Sequence, residues 1–179
     1  MSLAPSAALR ASSLCRLLSP GEVDAIAAIV EERKFAAGQA LFREGDAGDG
    51  VYLVVSGEID IVKASSGGER SLARLGPGGV LGEMSLLTSE SRSASGRARI
   101  DTAALHIPAA RFRALLAEGS LAALKMTAGL GEVLARRLAA TNAKVIELAE
   151  KLEAVGGRVP AMKEDELAEL HRSLQVWSF

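Results

Sequence analysis

The chain has 179 residues, of which 49% are hydrophobic, and a formal net charge of −1 at pH 7. This length suits one well-packed domain with additional elements and is too short for two full-sized domains. Without a basic excess, the chain as a whole is not drawn to nucleic acid or to an anionic membrane. No apolar run reaches the roughly 18 residues that a membrane span requires, and the start of the chain is too polar for a secretory signal, so we expect a cytoplasmic protein.

Residues 1–19 are rich in Ala, Ser and Leu without a sustained period, and we expect them to form a short helical or loosely packed lead-in. Cys15 is the single cysteine, which excludes an internal disulfide and any metal site built from several thiolates. Ser19 and Glu22 occupy the two positions of a capping box, in which each side chain accepts a hydrogen bond from a backbone N–H at the helix start. The sequence therefore predicts a helix over residues 20–33.

Between residues 34 and 108 the chain consists of short apolar segments, several with period-two alternation, separated by turns that contain glycine. Short strands with regular spacing and glycine turns are typical of antiparallel barrels, rolls and jelly rolls. We therefore predict an α+β fold in which an antiparallel, jelly-roll-like β-roll carries flanking helices and a long C-terminal helix. The expected strands cover residues 40–42, 51–55, 58–63, 71–75, 94–99 and 103–107.

Helical patterning returns after residue 108, and the sequence predicts helices over 109–118 and 121–155. On the longer helix a set of residues is spaced alternately by four and three positions, which is the seam of a coiled coil and favours a partner helix. The seam consists of Leu134, Leu138, Thr141, Val145, Leu148, Leu152 and Val155. We expect one domain over residues 20–155, dimeric through residues 134–155, and a tail over residues 156–179.

The segment at residues 82–95, GEMSLLTSESRSAS, is too short for a long helix and too broken for a strand, yet it carries Glu83 and Arg92. A buried arginine requires an anion and several acceptors, and a phosphate meets this need through bidentate pairing. Glu83, as an acceptor, suits a neighbouring pair of hydroxyls. The segment therefore fits a ribose beside a singly charged phosphate; in the alternative, the two residues pair with each other at the surface, which stabilises the fold little.

The same segment resembles the phosphate-binding cassette of cyclic-nucleotide-binding domains, in which Gly-Glu and a small apolar helical turn precede Arg, then Ser, Thr or Ala, then Ala. The matching residues are Gly82, Glu83, Ser85, Leu86, Leu87, Arg92, Ser93 and Ala94. Residues 35–62 are similar to the first half of that family's β-roll. Residues 134–152 are similar to the dimerisation helix of the cAMP receptor protein and its relatives, so the resemblance covers about residues 20–155.

This resemblance implies that Arg92 pairs with the cyclic phosphate, assisted by Ser93, and that Glu83 accepts a hydrogen bond from the ribose 2′-hydroxyl. Gly82 and Ser85 would offer backbone groups to the sugar-phosphate. The implied contacts with the base are Ile61, Leu72 and Met84 as its lining, with Thr141 and Asn142 reaching adenine, one of them from the partner subunit. Because Asn142 stands where a serine-type residue is more usual, cAMP is favoured and cGMP remains possible.

Transcription factors of this family continue after the long helix into a helix-turn-helix domain, whereas 22 residues follow Gly157 here, so direct DNA binding is not expected. His106 and His171 have no second ligand nearby in the sequence, and no nucleophile–base pair is visible, so we expect neither a metal site nor an enzyme. We expect a stand-alone cAMP receptor that changes conformation on binding and regulates an unknown effector protein. The alternatives are a β-roll interaction module that binds no nucleotide and the regulatory fragment of a transcription factor or channel.

Overall fold

Residues 5–154 are described by this computed structural model, and they form eight strands, five α-helices and one 3-10 turn. The strands are β1 (Glu31–Phe35), β2 (Ala40–Phe42), β3 (Gly50–Ser56), β4 (Ile59–Ser65), β5 (Gly68–Leu75), β6 (Val80–Leu81), β7 (Ser95–Ala98) and β8 (Thr102–Pro108). The helices are α1 (Pro5–Ala11), α2 (Pro20–Ala27), α3 (Glu83–Thr88), α4 (Ala109–Ala117) and α5 (Leu121–Ala154), and the 3-10 turn is Ser13–Cys15. The described residues divide into two units, one that ends at residue 134 and one that begins at residue 135.

The strands pair into two four-stranded antiparallel sheets, with the strand orders β1-β8-β3-β6 and β2-β7-β4-β5. Gly57 turns the chain from β3 in one sheet to β4 in the other, with a φ of 89° that glycine adopts without strain. A Cβ atom at this position would lie 2.3 Å from Thr102 Oγ1, so the turn has no room for a side chain. The predicted antiparallel β-roll with flanking helices and a long C-terminal helix is confirmed.

Strand β3 is buried on both faces. Val51 and Leu53 pack into the larger hydrophobic cluster, which includes residues of the helices and which we call the helical core. Tyr52 and Val54 pack into a second cluster between the two sheets, the inter-sheet core. Successive side chains of a strand point to opposite faces, so the continuous apolar run of β3 supplies two cores in alternation. Other members of the helical core are Leu9, Leu14, Val23, Ile26, Leu105, Ile107, Phe112, Met126 and Leu130.

The helix predicted over residues 20–33 ends earlier, at Ala27. Its start is as predicted: Ser19 Oγ accepts from the Glu22 N–H at 3.4 Å, and a Glu22 carboxylate oxygen accepts from the Ser19 N–H at 2.7 Å. Residues 31–35 form β1 instead, paired antiparallel with β8 over its whole length. The prediction was wrong here because Glu, Arg and Lys are good helix formers, whereas pairing with β8 decides the conformation.

The other differences from the predicted elements lie in and around short strands. Strand β5 begins at Gly68 rather than at residue 71. Strand β6 has only two residues, too few to show a period, and was not predicted. The expected lead-in is helical in part, and its Leu9 and Leu14 are fully buried in the helical core.

The helices predicted over residues 109–118 and 121–155 correspond to α4 and α5, and both agree with the prediction at the N-terminus. Val155 and the tail over 156–179 lie outside the described residues. The seam positions Leu138, Val145, Leu148 and Leu152 are 42% to 63% exposed. The coiled-coil seam therefore presents accessible apolar side chains along α5. Within residues 5–154, no helix combines the length and the apolar character needed to cross a bilayer.

Candidate functional site

The segment between β6 and β7 is built around a glycine. Gly82 precedes α3 with a φ of 84°, in the left-handed region that disfavours any other residue. A Cβ atom at this position would lie 2.1 Å from Arg92 Nη1 and 2.8 Å from the Gly50 carbonyl oxygen. Glycine is therefore required both by the backbone conformation and by the close approach of Arg92.

Arg92 follows α3 and is 3% exposed. Its Nη1 donates to the Gly82 carbonyl oxygen at 2.9 Å and to Ser85 Oγ at 2.8 Å. Its Nη2 donates to the Gly50 carbonyl oxygen at 2.7 Å and forms an ion pair with Asp49. The buried Nε has no hydrogen-bond partner among the described residues. Four acceptors thus hold the guanidinium in place while one of its donors is left unpaired.

Two aromatic rings lie against this guanidinium. The Arg92 Cζ atom is 4.2 Å from the ring centroid of Phe42 and 6.0 Å from that of Tyr52, and the negative face of an aromatic ring attracts a cation at such distances. Tyr52 Oη donates to Asp49 Oδ2 at 2.9 Å. Burial, reinforced by this hydrogen bond, raises the pKa of Tyr52 well above its usual value. The phenol therefore remains a neutral donor that orients the Asp49 carboxylate.

The loop before β3 is the part of the site that sequence reasoning missed. Its backbone pairs with Arg92, whose N–H donates to the Asp46 carbonyl oxygen at 2.8 Å. A Cβ atom at Gly48 would lie 2.4 Å from Ser85 Cβ, so this loop also contacts α3 closely. The available signal was a carboxylate, Asp49, between two glycines and just before the apolar run over residues 51–55. Such an acid is placed to meet a buried cation.

Glu83 and Arg92 do not form the surface pair considered as an alternative, because both are buried. Glu83 is the first residue of α3 and is 4% exposed. Ser85, two residues further along α3, donates its hydroxyl to the Gly82 carbonyl oxygen at 3.1 Å while accepting from Arg92. The structure therefore brings Gly82, Ser85 and Arg92 into direct contact and buries Glu83 in the same segment.

Ser93 and Ala94, the other predicted residues after the arginine, differ in exposure. The Ser93 side chain is exposed, and its Oγ lies 3.7 Å from the Met84 Sδ. Its carbonyl oxygen accepts from Lys63 Nζ at 2.8 Å, which ties the segment to β4. Ala94 is buried. The hydroxyl of Ser93 thus faces outward next to a buried arginine, as a ligand-contacting group requires.

The residues predicted to contact the base are spread over four elements. Ile61 lies on β4, partly buried against the inter-sheet core. Leu72 of β5 and Met84 of α3 are exposed apolar side chains. Thr141 and Asn142 are exposed on α5 and belong to the second unit. Contact of these five residues with a ligand stays a prediction.

The site carries a buried cation and a buried carboxylate on one short segment. Arg92 supplies the positive charge and the unpaired donor, and Glu83 supplies acceptor oxygens. Among residues 5–154, no group of three or more His, Cys, Asp or Glu side chains is arranged to hold a metal ion. The arrangement fits an anion that also carries hydroxyl groups, such as a sugar phosphate.

Residues 32–118 match the family model for the cyclic nucleotide-binding domain. The chain belongs to this family. The matched range runs from β1 to the end of α4 and contains the whole arrangement around Arg92, including Asp49, Phe42 and Tyr52. The contacts of Arg92 described above therefore lie within a cyclic nucleotide-binding domain.

The domain is similar to the cyclic AMP receptor protein of Thermus thermophilus, with 40% identity over 131 residues, 73% of this chain and 59% of that protein. It is similar to the crystal structure of the Thermus thermophilus catabolite activator protein, with 37% identity and a TM-score of 0.67 over 76% of this chain and 63% of that one. The regulatory domain of Toxoplasma gondii PKA, crystallised with cAMP, shows 31% identity and a TM-score of 0.58 over 62% of this chain and 42% of that one. This chain spans less than two thirds of the length of each.

Proposed function

We propose that this chain is a receptor for a cyclic nucleotide, with cAMP favoured, which changes conformation on binding and regulates a protein partner. The observation that carries the proposal is the buried guanidinium of Arg92, held by four acceptors with its Nε unpaired, in the same segment as the buried Glu83. Two of the similar proteins support cAMP as the ligand, since one is a cyclic AMP receptor and the other was crystallised with cAMP.

In this proposal the cyclic phosphate pairs with Arg92, the Ser93 hydroxyl assists, and Glu83 accepts from the ribose 2′-hydroxyl. Arg92 is already held by Gly82, Ser85 and other acceptors, so little side-chain freedom is lost when the ligand arrives. The low local dielectric of a buried site strengthens the charge-assisted bonds. The affinity then comes from a charge that is in position before binding.

The proposed response involves the long helix. Thr141 and Asn142 would contact the base, and a ligand shifts a conformational equilibrium by the contacts that only one conformation can make. The exposed seam on α5 would join two copies into a homodimer through residues 134–155. The signal would pass to a protein partner, and the chain itself would carry out no catalysis.

Replacement of the arginine tests the proposal. Titration of cAMP and cGMP, followed by calorimetry, should show Arg92→Ala weakening binding by about 2–5 kcal/mol, the usual cost of truncating one partner of a buried charge pair. Arg92→Lys should also bind poorly, because an ammonium cannot reproduce bidentate pairing. Arg97→Ala is the matched control: Arg97 lies five residues away on β7, exposed and paired with Glu69.

The control should bind cAMP within about twofold of the natural chain, since an exposed ion pair contributes little. Thermal unfolding of all variants separates a loss of binding from a loss of folding, because Arg92→Ala removes one donor from Asp49 and from each of the carbonyl oxygens of Gly82 and Gly50. An unchanged cAMP titration in folded Arg92→Ala would refute the assignment of the phosphate site.

A second candidate, the same fold acting as an interaction module without nucleotide, is favoured by one observation. Both terminal nitrogens of Arg92 already have acceptors inside the protein, one of them the Asp49 carboxylate. Thermal unfolding with and without ligand decides between the two, because a ligand at 100 times its dissociation constant adds about 2.7 kcal/mol to the free energy of unfolding. No shift with cAMP or cGMP would favour the module.

A further inference from the structure

A buried histidine stands beside the carboxylate that holds Arg92. His106 lies on β8 opposite Tyr52 of β3 and Glu31 of β1. It is 4% exposed, and neither ring nitrogen has a hydrogen-bond partner among the described residues. Buried polar atoms are normally paired, so this imidazole calls for an explanation.

Two carboxylates flank the imidazole on opposite sides. The Nε2 atom lies 3.6 Å from Asp49 Oδ2, and the Nδ1 atom lies 3.8 Å from Glu31 Oε2, both just beyond hydrogen-bond distance. Glu31 is itself paired with Arg33 on β1 at 2.7 Å and with Arg111 on α4 at 3.4 Å. Of the two carboxylates, Asp49 is the one that also pairs with Arg92.

Asp49 is shared between Arg92 on one oxygen and the Tyr52–His106 pair on the other. Its Oδ1 pairs with Arg92 Nη2, and its Oδ2 accepts from Tyr52 Oη and faces His106 Nε2. The Tyr52 and His106 rings stack with centroids 4.5 Å apart, which fixes the imidazole against this carboxylate. A charge on His106 therefore competes with Arg92 for the same carboxylate, each cation facing a different oxygen.

We propose that His106 is a positioning residue that acts through Asp49 and makes anion binding at Arg92 depend on pH. A protonated His106 draws the Asp49 carboxylate towards itself and leaves more of the Arg92 guanidinium to the incoming phosphate. This inference rests on the proposed function, because it concerns the affinity of the same site for a cyclic nucleotide.

The direction of the effect follows from the two states of the site. In the free protein, burial lowers the pKa of His106 below its usual value of 6.5, with Arg33 acting in the same direction and Asp49 and Glu31 opposing it. A phosphate on Arg92 frees Asp49 to pair with the imidazolium and raises that pKa. Binding then takes up a proton, so affinity increases as the pH falls through the pKa of His106 in the complex. Each pKa unit gained on binding corresponds to about tenfold in affinity.

The test compares the pH dependence of cAMP affinity in the natural chain, His106→Gln and His171→Gln. The chain has two histidines, so His171→Gln is the matched control. The natural chain and the control should bind cAMP about three- to tenfold more tightly at pH 5.5 than at pH 7.5, and His106→Gln should vary by less than twofold. Any titration of the ligand itself appears equally in all three proteins.

The outcomes distinguish a failure of this inference from a failure of the proposed function. If His106→Gln keeps the pH profile of the natural chain, the inference is wrong while the proposed function stands. If the natural chain binds no cyclic nucleotide at any pH, the proposed function fails and the inference fails with it. Should His106→Gln not fold, as judged by circular dichroism, Tyr52→Phe replaces it. Removing the Tyr52 hydroxyl leaves Asp49 Oδ2 to the imidazolium, so the midpoint of the pH profile should move upward, and an unmoved midpoint would contradict the inference.

Discussion

Arg92 is held as much by backbone carbonyl oxygens as by its ion pair with Asp49. Two of its four acceptors are the carbonyls of Gly82 and Gly50. A carbonyl cannot move away as a side chain does, so these two bonds fix the guanidinium whatever Asp49 does. The site therefore combines a fixed half, made of backbone, with an adjustable half at Asp49.

The fixed half requires that residue 82 has no side chain, and the variant Gly82→Ala tests this requirement. The change adds strain at a φ of 84° and places a Cβ atom 2.1 Å from Arg92 Nη1. We expect cAMP affinity, measured by calorimetry, to fall at least tenfold, and the free energy of unfolding to fall by about 1–3 kcal/mol.

Gly78→Ala is the control for backbone strain alone. Gly78 has nearly the same φ, 82°, but a Cβ atom there would meet nothing within 4 Å. Its loss of stability, followed by urea unfolding, should be similar or smaller, and its cAMP affinity should be unchanged. Equal affinity in the two variants would show that Gly82 serves the turn and not the placement of Arg92.

At the scale of residues, the sequence revealed the contiguous part of the site and not the distant part. Gly82, Glu83 and Arg92 lie within eleven residues of each other, so their pattern is visible in the chain. Asp49 contacts Arg92 although the two residues are 43 positions apart in the chain. Phe42, which also contacts Arg92, is further away in the sequence. Such contacts are set by how β2, β3 and β7 are arranged in the sheets, which no local rule specifies.

At the scale of elements, helix α2 is joined to α5 by an ion pair that also completes its cap. Lys125 Nζ donates to both carboxylate oxygens of Glu22, at 2.8 and 2.9 Å. The hydrogen bond from Lys125, followed by that from the Ser19 N–H, lowers the pKa of Glu22 to about 2. One carboxylate thus begins one helix and ties it to another.

This ion pair predicts how stability responds to acid. A carboxyl group whose pKa is lowered in the folded state stabilises the fold above its unfolded pKa of about 4.5 and loses that contribution as the pH falls towards about 2. Urea unfolding between pH 5 and pH 2.5 should show a smaller loss of stability in Glu22→Gln and in Lys125→Met than in the natural chain.

Lys34→Met removes a lysine from the exposed face of β1 and is the control for the change in net charge. Its acid response should follow that of the natural chain. An acid response in Lys125→Met identical to that of the natural chain would mean that Lys125 does not shift the titration of Glu22.

The elements were predictable where local sequence signals mark their ends or their period. Glycine turns and alternation identified six of the eight strands, and the capping box identified the start of α2. The end of α2 and strand β1 were missed because residues 31–35 favour a helix locally and become a strand only through β8. Local preference is a weak guide where the partner strand is about seventy residues away.

At the scale of the whole molecule, the exposed seam on α5 is the surface through which we propose that two copies assemble. Leu138 and Leu148 are exposed seam positions. If a homodimer forms through residues 134–155, the double variant Leu138→Glu/Leu148→Glu should be a monomer in sedimentation equilibrium at concentrations where the natural chain is a dimer, because charges in an apolar seam are strongly unfavourable.

Ile146→Glu is the matched control, because Ile146 is equally exposed on α5 but lies off the seam. This variant should keep the oligomeric state of the natural chain. A natural chain that is monomeric at all concentrations, or a double variant that remains dimeric, would refute assembly through the seam.

The burial of β3 on both faces has a consequence for how such a domain diversifies. Tyr52, beside Arg92, has Val51 and Leu53 as its immediate neighbours, and those two anchor the helical core. Selection for a different ligand and selection for a stable fold therefore act on the same few codons of this strand. If Leu72 and Met84 contact the base as predicted, ligand preference can change at these exposed positions, where a new side chain leaves the helical core unaltered. Changes of ligand preference are therefore expected outside β3 and not within it.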